Sequence, residues 1–391
     1  MTEQETKELR AAMPYSWRAF LLYFLRLGTL GFGGPIALIG RMERDLVEAR
    51  GWIEKRDYDE GLALAQLSPG PLAAQLAIYL GWVRGRVLGA ALVSLAFVGP
   101  SFVMVLGLSA LYLKCGGLPW MQGAFYGVGA TVIALIARSS VNLARKTLKR
   151  DTLLWAIAVV NAGLTIVAES EKVVAVVLGG VIVAAVRAPY TKGAHLSSFA
   201  LPALLVTGTK GAASGSLLAK VLWYFTTAGA FVFGSGLAVV PFLHGGVVTQ
   251  HQWLTERQFV DAVAIAMITP GPVVITVAFI GYLVAGPIGA TLAAIGVFLP
   301  CFLIVVLAAP HYRRLAAKPR IKAFVDGVTA GAVGAIAGAV VVLGRKSIVD
   351  LPTIVIAVVS LAMLVKWKKL PEPLLIVAAG AVGIALHRVR G

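Results

Sequence analysis

Apolar runs of roughly 20 residues, the length of an α-helix that spans a bilayer, recur from one end of this chain to the other. Segments such as LLWAIAVVNAGLTIVA at 153–168 are apolar on every side. A water-soluble helix keeps one polar face, so helices of this kind belong in lipid. Of the 391 residues, 59% are hydrophobic and only 14% are charged, too few charges to clothe a soluble surface of this size. The expected fold is therefore an all-α polytopic membrane protein.

The formal net charge of +17 does not point to nucleic acid, because the Lys and Arg residues sit mostly in short loops between apolar segments. Basic short loops mark the cytoplasmic side of a membrane protein. A nucleic-acid groove needs basic residues interleaved with stacking aromatics, which this chain lacks. Cys115 and Cys301 lie in or beside apolar segments and read as membrane-embedded thiols, with neither disulfide nor metal spacing. The start, MTEQETKELRAAMPYSW, lacks the basic beginning and short apolar core of a cleaved leader, so the first apolar segment is expected to remain.

The chain repeats itself. A shift of 201 places Gly28 on Gly229, Phe32 on Phe233, Gly33 on Gly234, Trp52 on Trp253, and Pro69-Gly70-Pro71 on Pro270-Gly271-Pro272. After one deletion a shift of 200 places Gly89 on Gly289, Pro100 on Pro300, Phe102 on Phe302, Gly127 on Gly327 and Lys146 on Lys346. Two homologous halves follow, residues 1–195 and 196–391, joined through RAPYTKGAHLSS, as in many transporters.

Charge sets their orientation. Arg41, Arg44, Arg50, Lys55, Arg56, Arg84 and Arg86 flank the first Pro-Gly-Pro segment, while the matching stretches 242–257 and 284–286 hold Arg257 alone. The bias then reverses: Lys114 stands alone at 114–120, and its counterpart loop carries Arg313, Arg314, Lys318, Arg320 and Lys322. Arg145, Lys146, Lys149 and Arg150 match only Arg345 and Lys346, and Glu169, Glu171 and Lys172 match Lys366, Lys368 and Lys369. Oppositely biased loops predict an inverted-topology repeat, with about five or six membrane segments in each half.

Two interruptions per half break the apolar runs. Proline removes a backbone donor and disfavours helix in the residue before it, and glycine admits unusual dihedrals, so each Pro-Gly-Pro stops a helix. Bare peptide groups survive at membrane depth only where protein or a water-filled cavity surrounds them, so re-entrant or broken helices around a cavity are expected. The second interruption is LGTLGFGGPIALIG at 27–40, matched by AGAFVFGSGLAVVP at 228–241. If a short helix begins at Pro35, the N–H groups of Gly33 and Gly34 can meet an anion there. Four breaks would then enclose one site near a pseudo-twofold axis. If the first segment of each half crosses once and the Pro-Gly-Pro segment is re-entrant, both chain ends lie outside.

Side chains that can donate hydrogen bonds to an oxyanion at such a site are Gln66, Ser68 and Gln75 around the first Pro-Gly-Pro, Thr269 and Thr276 around the second, and Ser235 beside Gly236 in the second glycine stretch. Ser and Thr hydroxyls also bond to their own helix carbonyls, whereas a long amide such as Gln75 needs partners. Arg26 lies within an apolar segment and is expected to face a cavity. Arg41 and Arg44 are placed at an entrance, and Glu60 and Asp261, at one repeat position, are candidates to carry protons. His195, His244, His251, His311 and His387 show no ligand spacing, so no metal, cofactor or enzyme site is expected.

FLRLGTLGFGGP, GWI, LAQLSPGPLAAQLAIYLGW, the later TPGP and the duplicated layout resemble the chromate transporter family in its long two-domain form, across nearly the whole chain. The resemblance implies export of chromate from the bacterial cytoplasm across the inner membrane, coupled to the proton motive force or a counter-ion, with chromate resistance as the outcome. It carries over to Phe32, Gly33, Gly34, Pro35, Pro69, Gly70, Pro71 and Gln75, and to Pro270, Gly271 and Pro272. The chain departs from the family's pattern at Ile36, Ala37 and Leu38, where many relatives have His or Gln, and at Leu72, where some have Glu. Residue chemistry alone reaches a tetrahedral oxyanion and leaves sulfate, and a passive anion channel, open beside chromate. Membrane lipid is the expected surrounding, and a homodimer is compatible with this reading.

Overall fold

The computed structural model describes residues 15–32, 34–115, 119–169, 173–187, 217–231, 239–311, 319–367 and 370–390. Among these, fourteen α-helices and no strand are present, seven helices in each half. The first half holds α1 (Trp17–Leu30), α2 (Gly34–Met42, continued in wider π turns over Glu43–Ala49), α3 (Lys55–Leu67), α4 (Leu72–Cys115), α5 (Pro119–Thr147), α6 (Thr152–Ala168) and α7 (Val173–Arg187). Their counterparts are α8 (Leu217–Phe231), α9 (Val239–His244, with π turns over Gly245–Gln250), α10 (Glu256–Ile268), α11 (Thr276–Ala308), α12 (Pro319–Ser347), α13 (Leu351–Lys366) and α14 (Glu372–Arg390). The connection expected at 187–198 lies outside the described residues apart from Arg187.

Helix starts follow capping chemistry. Ser16 accepts from the Ala19 N–H at 3.2 Å to open α1, and Asp151 accepts from Leu153 and Leu154 to open α6. Thr255 with Gln258, and Asp350 with Thr353, form reciprocal capping boxes on α10 and α13. Each cap of this kind stabilises its helix by about 1 kcal/mol.

The first segment turns back on itself. Helices α1 and α2 form a hairpin whose two ends meet: Tyr15 stacks on Trp52 with ring centroids 4.9 Å apart, and Arg50 covers Trp52 at 4.5 Å. The second hairpin, α3 with the first part of α4, opens on the same face. Lys55 donates to Glu43 at 2.6 Å at its entry, and Arg84 donates to the Tyr15 carbonyl at 2.5 Å at its exit. The condition under which both chain ends lie outside, a single crossing by the first segment, is not met by this hairpin: the chain enters α1 from the face that carries Arg50, Arg84 and Arg86.

Helix α4 is two helices joined by a reversal at Gly85 and Arg86, the latter at φ 53°. Gly81 lies against the Gly89 carbonyl and Gly89 against the Gly81 carbonyl, so the two arms pack backbone to backbone. The second half repeats this at Ala285 and Gly286, with Gly281 against Gly289. After each reversal comes a helix long enough to cross, then α5 or α12 crossing back.

The halves exchange helices. Helix α12 of the second half packs along α6 and α7 of the first, with Gly334 on the Ala158 backbone and Gly327 on Gly179 and Gly180. Helix α5 packs likewise on α13 and α14, with Gly127 on the Ala379 backbone. Small residues let backbones approach, which is how helices associate where lipid removes the hydrophobic drive.

The same contacts establish inversion. Gly334 and Gly338 of α12 lie on Ala158 and Ala162 of α6, and Lys346 reaches Glu169, so α12 ends where α6 ends. Its counterpart α5 ends where α6 begins. The described basic residues that flank the two first-half hairpins and end α5 therefore share one face.

The opposite face carries an ionic cluster. His244 Nε2 lies 2.7 Å from Glu256, and Lys346 donates to both Glu256 (2.5 Å) and Glu169 (2.8 Å). Lys346 holds the Glu169 carboxyl below the ordinary carboxylate range by its hydrogen bond and its charge. Under the repeat shift, His244 and Glu256 fall on Glu43 and Lys55, a paired contact whose carboxylate has moved to the other position.

Candidate functional site

The Pro-Gly-Pro breaks are buried and bent as the sequence demands. Helix α3 ends at Leu67, Ser68 is extended, Gly70 takes φ +139°, and α4 begins at Leu72. In the second half α10 ends at Ile268, Gly271 takes φ +102°, and a 3₁₀ turn over Val273–Ile275 precedes α11. Only glycine adopts such dihedrals without strain.

The second break is tied to the first half. The Gly271 N–H donates to the Gly31 carbonyl at 3.1 Å, so a Pro-Gly-Pro break of one half bonds the glycine break of the other. Ser101 Oγ donates to the Pro270 carbonyl at 2.8 Å and lies 3.3 Å from the Gly28 carbonyl. The carbonyl groups freed by stopping two helices thus find donors inside protein, as membrane depth requires. At the first break the matching position is Cys301, and a Cβ on Gly70 would meet both Cys301 Cβ and Gln75 Nε2 at 2.5 Å.

Ser101 and Cys301 were absent from the candidate residues. Each follows the paired prolines Pro100 and Pro300, and that register was the signal available.

The remaining candidates separate into three groups. Ser68 donates to Leu64 (2.5 Å), Thr269 to Ile265 (2.7 Å) and Thr276 to Val273 (2.7 Å), all helix-local carbonyls, so these hydroxyls are already spent. Gln75 is fully buried at the first turn of α4 and donates to the Pro69 carbonyl at 2.5 Å. Pro71, Pro270 and Pro272 are buried with the breaks they form, and Pro69 is half-buried.

Gln66 and Arg26 are exposed, Arg26 on the side of α1 that also exposes Leu22 and Leu25, so neither joins the buried breaks. Phe32 is 39% exposed. Helix α2 begins at Gly34, one residue before the expected start at Pro35. Arg41 donates to the Leu30 carbonyl at 3.4 Å, capping the end of α1, and Arg44 is exposed beside Asp45. Gly33, Ser235 and Gly236 lie outside the described residues.

The two repeat-related acids differ. Glu60 lies 3.3 Å from Arg56 one turn away. Asp261 is 3% exposed and accepts from the Tyr112 hydroxyl at 2.8 Å, a bond between the halves. Beside Tyr112 is an apolar cavity of about 140 Å³ that Leu108, Phe125 and Ile265 help to line. Among the described residues no group of three or more metal-ligating side chains occurs.

The sequence profile of the family described as Chromate transporter matches residues 18–185 and again 219–384. A chromate transport protein of Cupriavidus metallidurans is 55% identical over 382 residues, 97% of this chain and 95% of that one. A probable chromate transport protein of Synechococcus elongatus is 55% identical over 377 residues, 95% of each chain. A chromate transport protein of Pseudomonas aeruginosa is 33% identical over 388 residues, 95% of this chain and 92% of that one. No solved structure matches the chain. The chain belongs to the chromate transporter family and is a multi-pass membrane transporter.

Proposed function

We propose that this transporter exports chromate, or a closely related tetrahedral oxyanion such as sulfate, from the cytoplasm across a bacterial inner membrane. The observation that supports this reading is the first Pro-Gly-Pro break, where a helix starts inside the protein. Its first N–H groups precede any intrahelical bond, and the positive end of the helix dipole favours an anion there. The names of the full-length relatives supply the substrate.

Residues 1–195 and 196–391 act as the two moving units, rocking about the exchanged helices so that the site opens to each face in turn. The cytoplasmic face is the one that gathers the basic residues. Energy comes from the proton motive force, with Asp261 as the proton-carrying acid, because it is the buried member of the repeat pair and sits where the halves meet.

Transport of labelled chromate and labelled sulfate in proteoliposomes, with and without a pH gradient, tests substrate and coupling together. Uphill chromate movement that needs the gradient supports the reading. Downhill flux indifferent to it makes the protein a channel, and no flux of either anion removes the function.

A further inference from the structure

We infer that Gln75 selects a protonated substrate, so that the first break binds the hydrogen oxyanion, HO–XO₃⁻, in preference to the fully ionised dianion. This rests on the oxyanion reading above and deepens it. The Gln75 amide has one orientation open to it. Its nitrogen sits 2.5 Å from the Pro69 carbonyl and 3.5 Å from the Ser68 carbonyl, and only an N–H is tolerated against a carbonyl oxygen. The other amide atom, Oε1, is then fixed as the free one, and it is buried with no hydrogen-bond partner. A buried acceptor without a donor is costly and calls for a ligand that supplies one.

The first backbone bond of α4 runs from the Gln75 N–H to the Pro71 carbonyl, so the N–H groups of Leu72, Ala73 and Ala74 precede it without intrahelical partners. The first turn of α4 thus carries backbone donors without helical acceptors and one side-chain acceptor without a donor. A dianion such as XO₄²⁻ can only accept, and it is repelled by Oε1. A hydrogen oxyanion donates its one O–H to Oε1 and accepts from the helix N–H groups through its other oxygens.

The second break offers no equivalent. Thr276 stands at the position of Gln75, and its hydroxyl is bonded to Val273. Among the described residues, the Cys301 thiol packs on the first break and donates to the Phe298 carbonyl at 3.0 Å. The carboxyls of Asp57, Asp59 and Glu60 sit at the far end of α3.

The consequence is a discrimination that shape cannot provide. Chromate takes up a proton close to neutral pH, whereas sulfate, the dianion of a much stronger acid, does not. The equilibrium HXO₄⁻ ⇌ H⁺ + XO₄²⁻ therefore places part of the chromate, and almost none of the sulfate, in the form that Gln75 accepts.

The test is equilibrium binding of labelled chromate to the purified full-length protein across the neutral range, with unlabelled sulfate as competitor. Affinity for total chromate should fall about tenfold per pH unit on the alkaline side, with sulfate a poor competitor throughout. Gln75→Met, similar in size without the acceptor, should lose both the pH slope and the preference for chromate. The wild-type slope decides the matter if that variant fails to fold. A flat pH response with tight chromate binding overturns the assignment to Gln75 alone, as does sulfate competing equally. Absence of any oxyanion binding at every pH overturns the transport reading with it.

Discussion

The two Pro-Gly-Pro breaks share a sequence, a burial and a positive-φ glycine, yet one is internally satisfied and the other is not. At the second, Gly271 bonds Gly31, Ser101 bonds Pro270, and Thr276 bonds Val273. At the first, Gln75 holds Pro69 and leaves its own Oε1 without a partner. Duplication therefore produced one break that braces the halves and one with hydrogen-bonding capacity left over, which we assign to the substrate. Symmetry of fold did not require symmetry of chemistry.

The largest effects should come from the break glycines themselves. Gly70→Val is expected to reduce chromate transport to background in proteoliposomes while the protein still elutes as a folded species, because the added atoms strike the Gln75 side chain and Cys301. Gly271→Val should instead abolish folded protein on the same column, since it disturbs the backbone bond to Gly31. If both variants fold and transport normally, the distinction between the breaks is void.

Next come the acids. Asp261→Asn should abolish gradient-driven accumulation while chromate–chromate exchange persists, and Glu60→Gln should leave accumulation within about twofold of wild type, because its carboxyl is paired near a surface. Equal losses would move proton coupling away from Asp261.

A smaller effect separates the paired positions on the crossing helices. Ser101→Ala leaves the buried Pro270 carbonyl without its donor and should cost about 1–3 kcal/mol of stability, read as a lowered melting temperature. Cys301→Ala removes only a weak thiol bond to its own helix and should shift melting less. The smallest contrast is Lys346→Met, which should lower melting slightly by freeing Glu256 and Glu169, against Lys146→Met, which has no ion pair to lose among the described residues.

Much of this was legible before coordinates. Pro-Gly-Pro stops a helix wherever it stands, and counting Arg and Lys in paired loops was enough to orient the halves. The break in LGTLGFGGPIALIG was legible from its glycines, but the hairpin of α1 and α2 was not, because a glycine stretch permits a turn without saying toward which face the next helix runs. The hydroxyls of Ser68, Thr269 and Thr276 misled for a local reason: a short side chain reaches its own helix carbonyl before it reaches anything else. Ser101 went unnoticed because its partners lie 73 and 169 residues away. The exchange of α5 and α12 left no mark, since a glycine seam looks the same whichever half it meets.

That exchange has a bearing on how the protein is made. When the ribosome has finished α7, the groove between α6 and α7 is still empty, for the helix that fills it ends at Ser347. The newborn first half therefore sits in the membrane unfinished until translation has passed Ser347. Quality control has that whole interval in which to find it, and a chain cut between the halves leaves both fragments with their best packing surfaces bare.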